Sequence, residues 1–215
     1  APGVVPDKEG ASAKARGLRL DEAEDGLNGH HRVGCGAAVP NLEAAAGMVA
    51  RGLVRPVLSV AVEICTATLF MGPSPDLIVS NCIFGDGAAA AVVGPGTGIL
   101  HLVDFESGLF PAHREALRYR TVGGRLRNTL SKEVPAIGAQ SIATVAGRLL
   151  ARHGLSASDI QWWAVHPGGT AVLKTVGQAL RLANGHLRFS EAILREYGNM
   201  SSPSVLFVLK RILDE

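Results

Sequence analysis

Residues 160–182 read IQWWAVHPGGTAVLKTVGQALRL, and they hold the clearest local pattern of the chain. The apolar run that ends at His166 predicts a strand, and the turn Pro167-Gly-Gly169 leads into apolar residues at helical spacing. A strand that turns directly into a helix is the repeating unit of α/β proteins. The side chain of His166 is therefore expected at the edge of a sheet, where such proteins place their sites.

The alternation of strands and helices extends in both directions from this stretch. Helices are predicted at 11–15, 41–53, 75–83, 134–153 and 170–182, and from a cap at Ser202-Pro203 to Leu213. Strands are predicted at 56–63, 88–93, 99–106, 125–130 and 160–166. The first two strands are almost continuously apolar, which is typical of a parallel sheet covered on both faces. The chain is therefore an α/β protein, without a linker that would divide it.

The composition excludes several classes of protein. The 215 residues include 21 Lys plus Arg and 19 Asp plus Glu, a balance that argues against a dedicated nucleic-acid binder. No run reaches the roughly 18 apolar residues of a membrane-spanning helix, and the N-terminus does not resemble a secretory signal. The three cysteines contain no Cys-x-x-Cys pair. We therefore expect a cytoplasmic protein without a disulfide framework, a metal site or membrane attachment.

Three residues are candidates for chemistry. Cys35 follows Gly34 and precedes a predicted helix, where the helix dipole lowers the pKa of a thiol and favours the nucleophilic thiolate. Alternatively, Cys35 could be an unreactive thiol that packs like a small apolar side chain, and His166 could be a buried histidine with a purely structural role. Asn199 lies in a Gly-Asn turn, where Asn is common because it tolerates a left-handed backbone.

The order Cys, His, Asn fits two unrelated chemistries. A separation of about 130 residues between Cys35 and His166 is that of papain-like cysteine proteases. The residues around Cys35 do not carry the Cys-Gly-[Ser/Ala]-Cys-[Trp/Tyr] signature of those proteases, so the spacing alone is weak support. The second chemistry is a decarboxylating Claisen condensation.

Four motifs in chain order resemble the type III polyketide synthases, the chalcone synthase-like family of the thiolase-like superfamily. They are Gly34-Cys35, Phe84-Gly-Asp-Gly-Ala-Ala-Ala90, His166-Pro-Gly-Gly169 and Tyr197-Gly-Asn-Met-Ser-Ser202. The resemblance implies a layered αβαβα architecture, incomplete at both ends. It also implies one thiolase-like unit over residues 1–215, with the nucleophile in 1–95 and the His and Asn in 96–215.

The resemblance implies a role for each motif. Cys35 would accept an acyl group from a coenzyme A thioester while His166 holds it as a thiolate in an ion pair. His166 and Asn199 would then stabilise the enolate that forms when malonyl-CoA loses carbon dioxide. By the same resemblance, Phe84 would be a gatekeeper to the acyl cavity, and Thr68 would line it.

Further expectations follow from the resemblance. Cys65 would also line the acyl cavity, and Gly168 and Ala171 would adjoin the pantetheine arm of the substrate. Acyl-CoA and malonyl-CoA would be substrates of a homodimer that needs no cofactor. The chain departs from the family pattern at Pro40 and at Asn128, which stands where a second gatekeeper aromatic is expected. The alternatives are a ketosynthase III-like enzyme with a single condensation and a non-catalytic, truncated remnant.

Overall fold

The computed structural model describes residues 34–52 and 56–215, so the helix predicted at 11–15 lies outside the described residues. The helices are α1 (Ala38–Ala50), α2 (Pro75–Ile83), α3 (Val134–Arg152), α4 (Thr170–Ala179), α5 (Arg188–Tyr197) and α6 (Ser204–Leu213). The strands are β1 (Val57–Glu63), β2 (Gly87–Val93), β3 (Leu117–Val122) and β4 (Arg125–Leu130). The α/β class is confirmed, and α2 and β4 have the predicted bounds.

Strands β1 and β2 form an antiparallel pair, with Val57 opposite Val93. Helix α1 packs against one face of this pair. Successive side chains of a strand point to opposite faces. Leu58 and Val62, on the other face, are 62% and 57% exposed. The prediction of a parallel sheet covered on both faces is therefore wrong for the described residues, which cover one face of an antiparallel pair.

The predictions of strands at 99–106 and 160–166 are also wrong for the described residues. Both segments lack the ladder hydrogen bonds that define a strand. The second segment is held by the buried Ser190 of α5, which accepts a hydrogen bond from the backbone N–H of Val165 and donates one to its carbonyl, at 3.3 and 2.7 Å. A serine hydroxyl thus replaces the neighbouring strand that an extended segment ordinarily requires.

Two apolar clusters fix the C-terminal helices around segment 160–169. The first cluster joins α3 and α4 to this segment and contains Ala139, Val165, Leu173, Val176, Leu180 and Leu187. The second cluster joins α5 and α6 and contains Phe189, Ile193, Met200 and Val208. Met200 directly follows Asn199, so this second cluster also holds one of the candidate residues in place.

Helix α3 is the one helix of the described residues that is long and apolar enough to cross a membrane. A single helix of this kind is weak evidence, because core helices of soluble proteins have the same features. In this chain α3 packs along α4 and contributes the buried Ala139 to the first apolar cluster, while its other residues are at least partly exposed.

Candidate active site

The Phe84 and Asn199 motifs cross each other backbone to backbone. The N–H of Asn199 donates to the carbonyl of Ile83 at 2.8 Å, and the N–H of Gly85 donates to the carbonyl of Asn199 at 3.0 Å. These two hydrogen bonds form an isolated parallel bridge between Phe84 and Asn199. Two motifs more than a hundred residues apart in the sequence therefore form one structural unit.

Glycine is required on both sides of this crossing. A Cβ atom on Gly85 would lie 2.6 Å from the carbonyl oxygen of Tyr197, and one on Gly198 would lie 2.7 Å from the carbonyl oxygen of Ile83. Gly198 also has a φ of +72°, a conformation that side chains disfavour. The Gly residues of the two motifs thus allow two backbones to approach closely.

The Asn199 side chain is fixed beside the thiol of Cys35. Its Nδ2 donates to the carbonyl of Gly168 at 3.3 Å, and its Oδ1 accepts from the N–H of Ser201 at 2.9 Å. The amide lies 4.0 Å from the Sγ atom of Cys35, which is 164 positions away in the sequence. Asn199 is only 2% exposed, so this contact is shielded from water.

Burial determines the protonation of Cys35. The thiol lies in a short 3₁₀ turn, Gly34–Gly36, just before α1. Burial raises its pKa above the ordinary value, and hydrogen bonds from Ser201 and Asn199 oppose this increase only in part. The prediction of a lowered thiol pKa at a helix N-terminus is therefore wrong for this structure, because desolvation of the thiolate is the larger effect.

His166 lies beside Gly168 in a shielded position. Neither ring nitrogen has a hydrogen-bond partner among the described residues. Burial lowers the pKa of the imidazole to about 4, so the ring is neutral near pH 7. Burial therefore disfavours both charged partners of the expected Cys35–His166 ion pair, which stays a prediction. The imidazole keeps one free N–H donor and one free acceptor.

A small cavity of about 60 Å³ lies between the 3₁₀ turn Cys65–Thr68, helix α2 and the β3–β4 hairpin. It brings together Cys65, Thr68 and Phe84, three of the predicted binding residues. Phe84 also connects this cavity to the crossing at Asn199.

The polar residues of the cavity lining that were not predicted as site residues include two on the β3–β4 hairpin, Tyr119 and Asn128. Asn128 of β4 was noted only as a departure from an aromatic position, and Tyr119 belongs to β3, a strand that was not predicted. The two residues are directly opposite each other in the β3–β4 register. The signal was present in the sequence, because Leu117 and Tyr119 alternate with Arg118 and Arg120 as the side chains of a strand do.

The remaining predicted residues lie in two other places. Gly168 belongs to the cluster around Asn199, whereas Ala171 is exposed on the first turn of α4. Asp86 accepts hydrogen bonds from both the N–H and the hydroxyl of Thr66, at 2.8 and 2.6 Å, so its role in the structure is to fix a turn. Within the described residues, no group of three His, Cys, Asp or Glu side chains could hold a metal ion.

Comparison with solved structures identifies the fold as that of the thiolase-like synthases. PKS-I from the brown alga Ectocarpus siliculosus superposes with a TM-score of 0.79 at 29% identity, over 95% of this chain and 58% of that chain. The 1,3,6,8-tetrahydroxynaphthalene synthase of Streptomyces coelicolor A3(2) also gives a TM-score of 0.79, at 30% identity over 85% of this chain and 53% of that chain.

Family models give the particular family. Residues 105–215 match the C-terminal domain of chalcone and stilbene synthases, and residues 31–108 match 3-oxoacyl-[acyl-carrier-protein] synthase III. The chain belongs to the chalcone and stilbene synthase family.

Curated relatives agree with this assignment. The 3,5-dihydroxyphenylacetyl-CoA synthase of Streptomyces toyocaensis is 34% identical over 194 residues, which are 85% of this chain and 50% of that protein. Type III polyketide synthase 10 of Oryza sativa subsp. japonica is 33% identical over 199 residues, 85% of this chain and 48% of that protein. The chain thus spans about half the length of these relatives.

Proposed function

We propose that the chain carries the catalytic centre of a type III polyketide synthase. This enzyme would condense malonyl-CoA with an acyl-CoA starter and cyclise the product to an aromatic ring or a pyrone. The observation that carries the proposal is the meeting of Cys35 and Asn199, 4.0 Å apart, at a crossing of two glycine loops beside a cavity. Relatives named for dihydroxyphenylacetyl-CoA and tetrahydroxynaphthalene synthesis support aromatic products.

The first step would load the enzyme. The sulfur of Cys35 attacks the carbonyl carbon of the starter thioester as its proton passes to a ring nitrogen of His166. The bond between carbon and the coenzyme A sulfur breaks, and coenzyme A takes that proton and leaves as a thiol. The acyl group is then held as a thioester on Cys35, so one difficult condensation is divided into easier steps.

The second step would form the new carbon–carbon bond. Malonyl-CoA loses carbon dioxide, and the electron pair of the broken bond becomes an enolate. The N–H of a neutral His166 and the Asn199 N–H that faces the Cys35 sulfur would both donate to the enolate oxygen, because Gly168 uses only the other amide hydrogen. The enolate attacks the acyl group and releases the Cys35 thiolate. Decarboxylation itself supplies the carbanion, so the proposed chemistry needs no metal or redox cofactor.

The binding assignments belong to the same proposal. Cys65, Thr68 and Phe84 would face the growing chain, which the cavity supports. Gly168 and Ala171 would adjoin the pantetheine arm, with Gly168 supported by its hydrogen bond to the catalytic Asn199.

We also propose that residues 1–95 and 96–215 act as one thiolase-like unit in a cytoplasmic homodimer. The exposed apolar face of β1, which includes Leu58 and Val62, supports burial against another polypeptide surface.

The test is incubation of the protein with malonyl-CoA and a panel of acyl-CoA starters, followed by mass spectrometry of the products. We expect a cyclised product from at least one starter, and its loss in Cys35→Ala and Asn199→Ala. Cys82→Ala is the matched control, because Cys82 is an exposed thiol on α2. Absence of product from every starter, or unchanged turnover in Cys35→Ala, would contradict the proposal. A single two-carbon extension would instead favour the ketosynthase III-like alternative, which the match of residues 31–108 supports.

A second candidate function is a folded, non-catalytic relative of these enzymes. It is favoured by one observation, that burial keeps both Cys35 and His166 neutral near pH 7. A catalytic Cys35 would take up the acyl group of a starter thioester, whereas a non-catalytic one would not. Absence of any acyl mass increase in the intact protein after incubation with the acyl-CoA panel would support this candidate.

A further inference from the structure

Ser201 has a backbone conformation that serine rarely adopts. Its φ is +61°, in the left-handed region, where a Cβ atom crowds the backbone. Within the part of the chain that the structure describes, the only other residue besides glycine with a positive φ is Arg181, which is exposed. Ser201, in contrast, is 3% exposed and follows Asn199 by two positions. Strained backbone of this kind concentrates at functional sites, where contacts with the surroundings offset its cost.

The backbone of Ser201 fixes the amide of Asn199. Its N–H donates to Oδ1 of Asn199 at 2.9 Å. Because an N–H pairs only with the oxygen end of an amide, this hydrogen bond determines which end of Asn199 remains as a donor. That end, Nδ2, lies 3.3 Å from the carbonyl oxygen of Gly168 and 4.0 Å from Sγ of Cys35. The carbonyl of Ser201 accepts from the N–H of Ser204 at 3.2 Å, which ties the turn to the start of α6.

The side chain of Ser201 acts on the thiol of Cys35. Burial raises the pKa of this thiol, and two side chains oppose the increase through hydrogen bonds, Ser201 with the larger effect and Asn199 with the smaller. A hydroxyl both donates and accepts, so it can accept from the thiol and donate to the thiolate once the proton has left. Hydrogen bonds to an ionised group are stronger than those between neutral groups. The hydroxyl therefore stabilises the thiolate more than the thiol.

We infer that Ser201 is a positioning residue for Cys35 and Asn199. The inference rests on the proposed function, because the thiolate of Cys35 is the nucleophile of the loading step. The left-handed backbone of Ser201 brings its N–H to Asn199 and its hydroxyl to the sulfur of Cys35 at the same time. One residue thus holds both the nucleophile and a donor to the enolate oxygen, and it acts through these two side chains.

The first experiment measures how fast iodoacetamide labels Cys35 at pH 9 in the wild type and in Ser201→Gly, with peptide mass spectrometry to separate the three cysteines. Glycine keeps the N–H that holds Asn199 and tolerates the positive φ, so this variant removes only the side chain and folds more readily than Ser201→Ala. Loss of one hydrogen bond to the thiolate should slow the labelling of Cys35 about tenfold. A merely structural role predicts the opposite sign, because a smaller side chain gives the reagent easier access to the sulfur.

Arg181→Gly is the matched control for this experiment. It also places glycine at a positive φ, +54°, but at an exposed position just after α4. Labelling of Cys35 should be unchanged in this control. An equal or faster rate in Ser201→Gly, or a Cys35 that is labelled in neither the wild type nor the variant, would overturn the positioning role. Circular dichroism melts of each variant establish that it is folded.

The second experiment follows the loading of Cys35 with each starter of the acyl-CoA panel, by the intact mass of the protein in a single turnover. The maximum loading rate should fall about tenfold in Ser201→Gly. The acyl-CoA concentration that gives half of this rate should stay the same, because Ser201 acts on the sulfur and not on coenzyme A. A change in that concentration alone would contradict the positioning role. Absence of loading in the wild type would refute the proposed function, and the labelling of Cys35 would still decide the role of Ser201.

Discussion

The stability of the chain should fall sharply on acidification because of His166. Burial lowers the pKa of this imidazole to about 4, against an ordinary value of about 6.5. Between these values the unfolded chain binds a proton that the folded chain excludes, so stability decreases as the pH falls from about 6.5 to about 4. A difference of about 2.5 units at about 1.4 kcal/mol per unit corresponds to roughly 3 kcal/mol. Below about pH 4 this contribution stops changing.

Urea unfolding at pH 7.0 and near pH 4.5, compared between the wild type and His166→Gln, measures this effect. The two tryptophans of the chain, Trp162 and Trp163, lie close to His166 in sequence and provide the fluorescence signal. Glutamine does not titrate, so between these two pH values the wild type should lose about 2.4 kcal/mol more than the variant, while the carboxylates contribute equally to both. His113→Gln, a change at an exposed histidine, is the control. Equal losses in the wild type and in His166→Gln would refute the reasoning.

Three further predictions concern contacts that stabilise the fold, each measured by urea unfolding. Ser190→Ala leaves the backbone N–H and carbonyl of Val165 unpaired, so it should lower the free energy of unfolding by about 1–3 kcal/mol. A loss under about 0.5 kcal/mol would contradict the bridging role of Ser190. Gly198→Ala should lower the free energy of unfolding by more than about 1 kcal/mol, and by more than Gly96→Ala does. Both glycines have a positive φ, but only a Cβ on Gly198 would clash with another backbone segment. Equal losses would exclude the clash. Arg152→Gln removes ion pairs with Asp104 and Glu106 and should lower the free energy of unfolding. This loss should be smaller in 1 M NaCl, because salt screens exposed charges. A loss that does not depend on salt would indicate that Arg152 acts through packing instead.

Local signals predicted the elements that depend on few distant contacts. Helix α2 begins at Pro75 and β4 ends at Leu130, as the sequence indicated. The strand at 99–106 was predicted from its apolar residues, but a strand also needs a hydrogen-bonded neighbour, and the described residues supply none. Apolar composition indicates that a segment favours an extended backbone. Whether that segment becomes a strand depends on a neighbouring strand to which it can hydrogen-bond.

The candidate site was predictable in its residues but not in its electrostatics. The motifs identified Cys35 and Asn199, and the structure brings the two side chains together. The position of Cys35 before a helix predicted a lowered pKa, but burial, which depends on tertiary packing, has the opposite and larger effect. Tyr119 was missed for a related reason, because its contribution to the cavity depends on the pairing of β3 with β4.

The two shifted pKa values together constrain the resting state of the proposed enzyme. Burial disfavours the thiolate of Cys35 and the imidazolium of His166 separately, so the proton remains on sulfur in the free protein. An ion pair would offset part of that cost only if the two groups were in contact, since opposite charges stabilise each other at short range. In the proposed cycle, transfer of the proton to His166 must therefore accompany the approach of the thioester. Because burial disfavours the thiolate, we expect Cys35 of the free protein to react slowly with electrophiles such as iodoacetamide.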